Sequence, residues 1–128
     1  MTSIEIGKKV YQILKINDEL VNIVGDKIYP LVAESDTSYP FVVFKRTGIT
    51  PESSKDWLTM ESVSVEIVCA SDKYFQSVDM ANLIREEMDG LRGGEILETK
   101  VDYITEDFID DAYIQRIGFN FKVVPSNN

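Results

Sequence analysis

The stretch that decides the fold runs from Ser62 to Leu91, SVSVEIVCASDKYFQSVDMANLIREEMDGL. Its first part alternates with a period of two, as in a strand with one buried face, and the apolar positions are Val63, Val65, Ile67 and Cys69. Apolar residues then recur every three or four positions, which predicts an amphipathic helix over about residues 73–91: Val78, Ala81, Ile84, Met88 and Leu91. Ser71 and Asp72 are candidate N-caps for this helix, and Gly90 is a candidate stop. The strand and helix together predict half of an α+β core.

The composition is that of a small globular protein. The chain has 128 residues, of which 44% are hydrophobic and 27% are charged, so we expect residues 1–128 to form a single domain. Apolar runs are far shorter than the ~20 residues that cross a bilayer, and the N-terminus lacks the pattern of a secretory signal. We therefore expect neither membrane association nor secretion. The single cysteine, Cys69, is expected to be a packed apolar residue rather than a reactive thiol.

Two features of the composition exclude classes of function. The chain contains no histidine, which excludes Ser-His and Cys-His nucleophile systems and any imidazole-bound zinc site. Its formal net charge is −9, and binding to a nucleic-acid backbone depends on lysine and arginine that neutralise phosphates. Specific nucleic-acid binding is therefore not expected. A carboxylate-based enzyme, a binding module or an assembly component remains.

The rest of the chain predicts two N-terminal helices and four further extended segments. The fold class expected is α+β: a four- or five-stranded, mostly antiparallel sheet, with the long helix at about 73–91 and an N-terminal helix packed against it. The predicted segments are a capped helix from Thr2 to about Lys15, a helix Asp18–Val24 capped by Asn17, an extended piece Ile28–Pro30, a strand Phe41–Thr47, a loop Ile49–Asp56, a strand Trp57–Cys69 with a bulge near Thr59–Glu61, a strand Glu95–Thr105, an acidic turn Glu106–Asp111 and a strand Ala112–Val124.

An acidic cluster is the strongest candidate for chemistry. Four carboxylates, Glu106, Asp107, Asp110 and Asp111, surround a predicted hairpin, and carboxylate oxygens bind Mg²⁺ or Ca²⁺. Their spacing does not match a calcium-binding loop, so a solvated acidic turn is the better interpretation. A second group, Glu86, Glu87 and Asp89, could supply general acid–base catalysis, but it lies on the polar side of the predicted helix, where charges are expected. We predict no catalytic, cofactor or metal site.

Apolar residues on predicted connections indicate a protein–protein contact. Ile49, Pro51 and Trp57 fall on or beside the predicted loop, and Phe108 and Ile109 fall within the predicted acidic turn. Exposed apolar groups of this kind often mark an interface. The alternative is that they fold back over the ends of the core.

The order of these segments resembles a known family. The segments are Ile28-Tyr29-Pro30, then Tyr39-Pro40-Phe41-Val42-Val43-Phe44, then the strand Val63–Cys69 that leads into the helix ending in Met88-Asp89-Gly90. This order is similar to that of the tail completion (tail terminator) proteins of long-tailed bacteriophages and prophages. The N-terminal helical segment and the final hairpin also fit, so the resemblance covers nearly the whole chain. The matching motifs are short and mostly structural. Small head–tail connector proteins are a second group that the chain resembles.

The resemblance implies a non-enzymatic virion protein with no active site and no cofactor. Such proteins assemble in the host cytoplasm into a hexameric ring at the end of the tail tube, stop its growth and offer a surface to the head connector. The expected partners are therefore further copies of the chain, the tail tube and the head connector. The net charge suggests the hypothesis that acidic side chains line a channel through which DNA passes without sticking.

Two alternatives belong to other functional classes. One is a small acidic binding protein that inhibits a nucleic-acid-binding host factor by charge mimicry, which requires carboxylates spread over one outer face. The other is a divalent-metal hydrolase that uses Glu106, Asp107, Asp110 and Asp111. Oligomeric state distinguishes the ring protein from the inhibitor, and metal titration tests the hydrolase.

Overall fold

The computed structural model describes residues 2–52 and 60–125 of the chain. These residues form a five-stranded mixed sheet with helices, which confirms the predicted α+β fold class. A 3₁₀ turn, Ser3–Glu5, comes first, and the helices are α1 (Ile6–Lys15), α2 (Asp18–Val24) and α3 (Tyr74–Met88). The strands are β1 (Ile28–Pro30), β2 (Phe41–Glu52), β3 (Met60–Ser71), β4 (Ile96–Ile109) and β5 (Ala112–Val123).

The strand order across the sheet is β1-β2-β3-β5-β4. β1 pairs parallel with β2, and the other three pairings are antiparallel, as the sequence predicted for most of the sheet. The strands β1 and β4 therefore form its two edges. β3 lies in the centre, between β2 and β5, and its alternation is that of an antiparallel strand with one covered face.

The helices cover one face of the sheet and leave the other open. The alternate residues Val63, Val65, Ile67 and Cys69 of β3 are buried under them, together with Phe119 and Phe121 of β5. From the helices, this core includes Ile6, Val10, Leu14, Leu20, Met80, Ile84 and Met88. Cys69 is fully buried, as predicted, and burial raises the pKa of its thiol to about 12.

The helix ends follow local capping chemistry in part. Asn17 caps α2 by accepting a hydrogen bond from the Leu20 N–H at 3.1 Å, as predicted. The predicted N-cap of α3 was wrong: Lys73 occupies the cap position, and Ser71 Oγ instead accepts from the Lys73 N–H at 3.0 Å. The helix also ends at Met88, three residues before Leu91. Gly90, which adopts a φ of +80°, lies in the turn that follows.

The predicted loop after residue 47 is wrong, because β2 continues to Glu52. A register shift between Arg46 and Gly48 interrupts the ladder, whereas the bulge was predicted in β3. Pro51 is tolerated in this strand because β1 pairs only with residues 42–44, so that beyond them β2 is itself an edge and needs no N–H on that side. The predicted start of β3 at Trp57 lies outside the described residues.

The predicted acidic turn is also shorter than expected. Glu106, Asp107, Phe108 and Ile109 belong to β4, and only Asp110 and Asp111 form the turn to β5. Both turn residues have positive φ values, 52° and 62°. This pattern is that of a two-residue hairpin loop of type I′, whose twist matches that of the flanking strands.

Candidate protein–protein interface

The hairpin half of β4 is the most exposed part of the sheet. Every residue from 102 to 109 is exposed, and β4 has a strand neighbour on one side only. Apolar side chains are prominent here: Tyr103, Ile104, Phe108 and Ile109 are each more than 40% exposed. A long edge strand with exposed apolar residues can pair with another chain. The chain therefore carries an edge suited to assembly.

An aromatic cluster lies between this hairpin and the start of α3. It consists of Tyr74, Phe75, Phe108 and Tyr113. The ring centroid of Tyr74 lies 5.8 Å from that of Phe75 and 5.5 Å from that of Tyr113, and Phe108 lies 4.9 Å from Tyr113. Aromatic residues are enriched in the cores of protein interfaces. Phe75 is 81% exposed, so the cluster presents a large apolar area to solvent.

A polar network holds the aromatic cluster to the sheet. Glu106 Oε2 accepts a hydrogen bond from the Tyr74 hydroxyl and another from Gln115 Nε2, each at 3.0 Å. The amide of Gln115 also donates to Ser77 Oγ at 3.3 Å. The hydrogen bond to Glu106, followed by the negative charge of Glu106, raises the pKa of Tyr74. Glu106 therefore orients an aromatic residue from an exposed position in β4, outside the turn.

The open face of the sheet carries a second network. Tyr103 on β4 is opposite Gly118 on β5, and Gly118 is opposite Glu66 on β3. The Tyr103 hydroxyl donates to Glu66 Oε2 at 2.5 Å, and Arg116 Nη1 donates to Glu66 Oε1 at 3.4 Å. Desolvation and the hydrogen bond to Glu66 raise the pKa of Tyr103 to about 12. This network ties the edge strand to the centre of the sheet.

The acidic cluster does not converge on one point. Glu106 is level with Gln115 on the helix-covered face, whereas Asp107 lies on the open face, where its carboxylate pairs with Arg116 Nε at 3.5 Å. Neighbouring strand residues point to opposite faces, so Glu106 and Asp107 cannot share an ion. Residues 2–52 and 60–125 contain no group of three or more acidic or cysteine side chains that could hold a metal. The hydrolase alternative has no metal centre in this part of the chain.

A cleft lies at the opposite edge of the sheet, between α1 and β1. It has a volume of about 660 Å³. Its wall is mostly apolar and aromatic, and it is formed by Tyr11, Ile28, Tyr29, Pro30 and Phe44. Four charged side chains also line it: Lys8 and Lys15 from α1, Asp26 before β1, and Glu34 after it. The Lys15 ammonium lies 5.5 Å from the centre of the Tyr11 ring, a cation–π contact.

Carboxylates line a groove between α2 and α3. Glu19, Asp79 and Glu86 line it, together with the amides of Asn22 and Asn82, and its volume is about 490 Å³. Glu86, predicted as a possible acid–base residue, lies here in an exposed position on α3. No helix among the described residues is long and apolar enough to cross a bilayer.

The residues predicted for an interface fall at two ends of the sheet. Phe108 and Ile109 are exposed at the hairpin, while Ile49 is half-buried against the core and Pro51 is exposed in β2. Ile49 is level with Val63, and Phe108 with Ser71, so the two groups lie about 26 Å apart along the strands. They do not form one surface. Trp57 lies outside the described residues.

Sequence reasoning missed the cleft and the role of Tyr74. β-branched and aromatic residues occur on both sides of the acidic pair, at Tyr103, Ile104, Thr105, Phe108 and Ile109, and this composition could have extended the predicted strand β4. The extended strand would have brought these side chains level with the start of α3. The cleft has no comparable signal, because it forms between residues 7 and 44 only after the chain has folded.

Comparison with known proteins identifies a solved structure with a similar fold but assigns the chain to no family. No protein-family model matches the sequence, and no curated protein matches it. Among solved structures, a chain from a "Virion of native gene transfer agent (GTA) particle" superposes with a TM-score of 0.77. The alignment covers 89% of this chain and 90% of that chain, at 17% sequence identity. The two chains therefore share a fold over nearly their whole lengths.

Proposed function

We propose that this protein is a non-enzymatic structural component of a phage-like virion. The observation that carries the proposal is the shared fold with a chain of a gene transfer agent particle, which covers nearly all of both chains. The exposed edge strand and aromatic cluster support it, because a virion subunit must bury such surfaces against its neighbours. The histidine-free composition is compatible with a protein that performs no chemistry.

The specific role proposed is that of a tail completion, or tail terminator, subunit. In this role copies of the chain close into a ring, expected to be hexameric, on the end of the tail tube and join the tail to the head connector. The resemblance of segment order to that family supports this role. The sheet also has two free edges, β1 and β4, and subunits with two different free edges can follow one another around a ring.

The acidic groove between α2 and α3 is the surface proposed to face the channel. Glu19 of α2 and Asp79 of α3 both line it, and α2 carries two acidic residues and no basic one. A negative channel wall repels the phosphates of passing DNA, so the genome moves through without binding. Exchanging Asp79 and Glu86 for lysine is expected to leave the ring intact and to slow DNA release. Unchanged release with the lysine variant would contradict this assignment.

Deletion of the gene from the phage or prophage that carries it tests the proposed role. Without a terminator, tail tubes should grow beyond their normal length and remain without heads, as seen by electron microscopy. A plasmid copy of the wild-type gene should restore both tail length and head attachment. Tails of normal length, joined to heads in the absence of the protein, would contradict the proposal.

A second candidate is an acidic inhibitor of a nucleic-acid-binding host factor. The carboxylates gathered on α2 and α3 favour it, since charge mimicry needs acidic groups on one outer face. Affinity capture from host lysate, followed by competition with DNA, tests this function. A captured DNA-binding protein that DNA displaces would support it, and virion-associated protein with no such partner would contradict it.

A further inference from the structure

We propose that the β4–β5 hairpin tip of one copy of this chain seats in the α1–β1 cleft of the next copy. The tip is defined here as residues 106–111. This inference rests on the proposed ring function and deepens it, because it names the two surfaces through which neighbouring subunits meet.

The tip and the cleft match in apolar character. Phe108 is 58% exposed and Ile109 is 47% exposed, at the end of the edge strand. The cleft offers Tyr11, Tyr29 and Phe44 as partners, in a volume of about 660 Å³. A cleft of this size accommodates one or two large side chains. Aromatic residues that fill such a pocket are the usual anchors of an interface.

The turn of the tip and the α1 side of the cleft carry opposite charges. The tip has four carboxylates and no basic residue, whereas α1 carries Lys8, Lys9 and Lys15 and no acidic residue. Within the tip, Glu106 is engaged by Tyr74, and Asp107 by Arg116. The carboxylates of the turn residues Asp110 and Asp111 therefore remain to approach the lysines, while the Asp110 carbonyl accepts a hydrogen bond from the Tyr39 hydroxyl at 3.5 Å. In a chain of net charge −9, α1 is the helix with a purely basic surface, and it borders the cleft.

The cleft also contains Asp26 and Glu34, which repel an acidic tip. Both belong to the segments that flank β1, whereas Lys8 and Lys15 belong to α1. The tip is therefore expected to enter with its turn toward α1 and its apolar strand end, Phe108 and Ile109, toward β1. This orientation separates like charges and pairs opposite ones.

The placement of the surfaces makes the contact directional. β1 and β4 are the opposite edges of one sheet, and β1 is level with residues 104–106 of β4 through the registers of the strands between them. The pairings also make β4 antiparallel to β1, so β4 of one copy can lie beside β1 of the next as an antiparallel neighbour. Each copy offers one tip to one neighbour and one cleft to the other neighbour. Such heterologous contacts build rings.

A second copy of the chain is the occupant favoured by these observations. The tip and the cleft belong to the same polypeptide and lie at opposite edges of the sheet, and the α1 side of the cleft is opposite in charge to the tip. They cannot meet within one molecule, because four strand spacings, roughly 19 Å, separate the two edges.

Cysteine cross-linking tests the contact. Lys8→Cys marks the cleft and Ile109→Cys marks the tip, and both positions are exposed, so the variants should fold. The native Cys69 is fully buried and does not compete for the reagent.

The double variant is treated with a short bismaleimide, in free solution and with cognate tail tubes. We expect a ladder of covalent oligomers from the double variant and almost none from either single variant. The matched control pairs Lys8→Cys with Lys100→Cys, at the other end of the same strand, and should give at least tenfold less product.

Failure of the tip-in-cleft contact and failure of the proposed ring function would give different results. Rings seen by light scattering or electron microscopy, without cross-linking of the 8–109 pair, would overturn the tip-in-cleft contact and leave the ring standing. Efficient dimers from Ile109→Cys alone would show a symmetric tip-to-tip contact and would also overturn it. Absence of any assembly, both alone and on tail tubes, would remove the proposed function and the inference together.

Discussion

Tyr103 lies across Gly118, its opposite residue on the neighbouring strand, and reaches Glu66 on the strand beyond. A Cβ atom at position 118 would overlap the Tyr103 ring, so glycine is required for the ring to lie there. The hydroxyl donates to Glu66 at 2.5 Å. One side chain thus spans three strands on the open face and braces the edge strand that carries the proposed contact. An aromatic ring that covers a glycine on an adjacent strand is a known device for stabilising sheets.

Replacement of Gly118 by alanine is expected to destabilise the protein by about 1 kcal/mol, because the Tyr103 ring must swing away from Glu66. Urea unfolding measures the change. Gly7→Ala is the matched control: a Cβ there meets Phe44 at an ordinary 3.6 Å, so the substitution should stabilise α1 by roughly 0.5 to 1 kcal/mol. Equal effects of the two substitutions would contradict the role of Tyr103.

The Tyr103 pKa predicts a pH dependence of stability. Its folded-state pKa of about 12 lies above the ordinary value of 10, so the neutral phenol is favoured in the folded protein. The contribution of the neutral Tyr103 phenol to the free energy of unfolding is complete below pH 10 and is lost as the pH rises toward 12. Tyr103→Phe lacks this contribution. The difference in free energy of unfolding between wild type and variant should therefore narrow between pH 10 and pH 12. A constant difference over that range would show that Tyr103 titrates normally.

The hairpin turn offers a stabilising substitution. Asp111 has a φ of 62° at the second position of the two-residue turn, a conformation that glycine adopts at no steric cost. Asp111→Gly is expected to stabilise the protein by on the order of 0.5 to 1 kcal/mol, and Asp111→Ala is expected to destabilise it. Thermal or urea unfolding provides the comparison. The same sign for both substitutions would argue against this turn geometry.

Phe108 is expected to matter more for assembly than for folding. It is 58% exposed and contacts Tyr113, so Phe108→Ser should cost the monomer only about 1 kcal/mol. The same variant should abolish assembly on tail tubes, as measured by sedimentation. Leu97→Ser is the matched control, since Leu97 is similarly exposed at the other end of β4. Assembly by both variants alike would show that the tip is not part of the contact.

The parts of the fold that are local in sequence were predictable. Period-two and period-3.6 patterns predicted the end of β3 and both ends of α3 to within three residues. Asn17 marked the start of α2. Each signal depends on residues within one or two turns of each other. The strand order was not accessible in this way, because it depends on contacts between residues far apart in the chain.

The errors arose where tertiary context overrides residue preference. Pro51 suggested a loop, but an edge strand tolerates proline on its free side. Glu106 and Asp107 suggested a solvated turn, but Gln115 and Arg116 on the next strand pair with them and keep the ladder intact. The exposure of the residues named as a candidate interface was therefore predicted only in part. Phe108 and Ile109 are exposed as expected, while Ile49 packs against the core and the α1–β1 cleft was missed.

Electron microscopy of cognate tail tubes mixed with the purified protein tests whether this protein terminates the tail. We expect a closed ring of the protein at one end of each tube, with tubes that no longer elongate when further tube subunits are added. Tubes that stay bare and continue to grow in the presence of excess folded protein would contradict it.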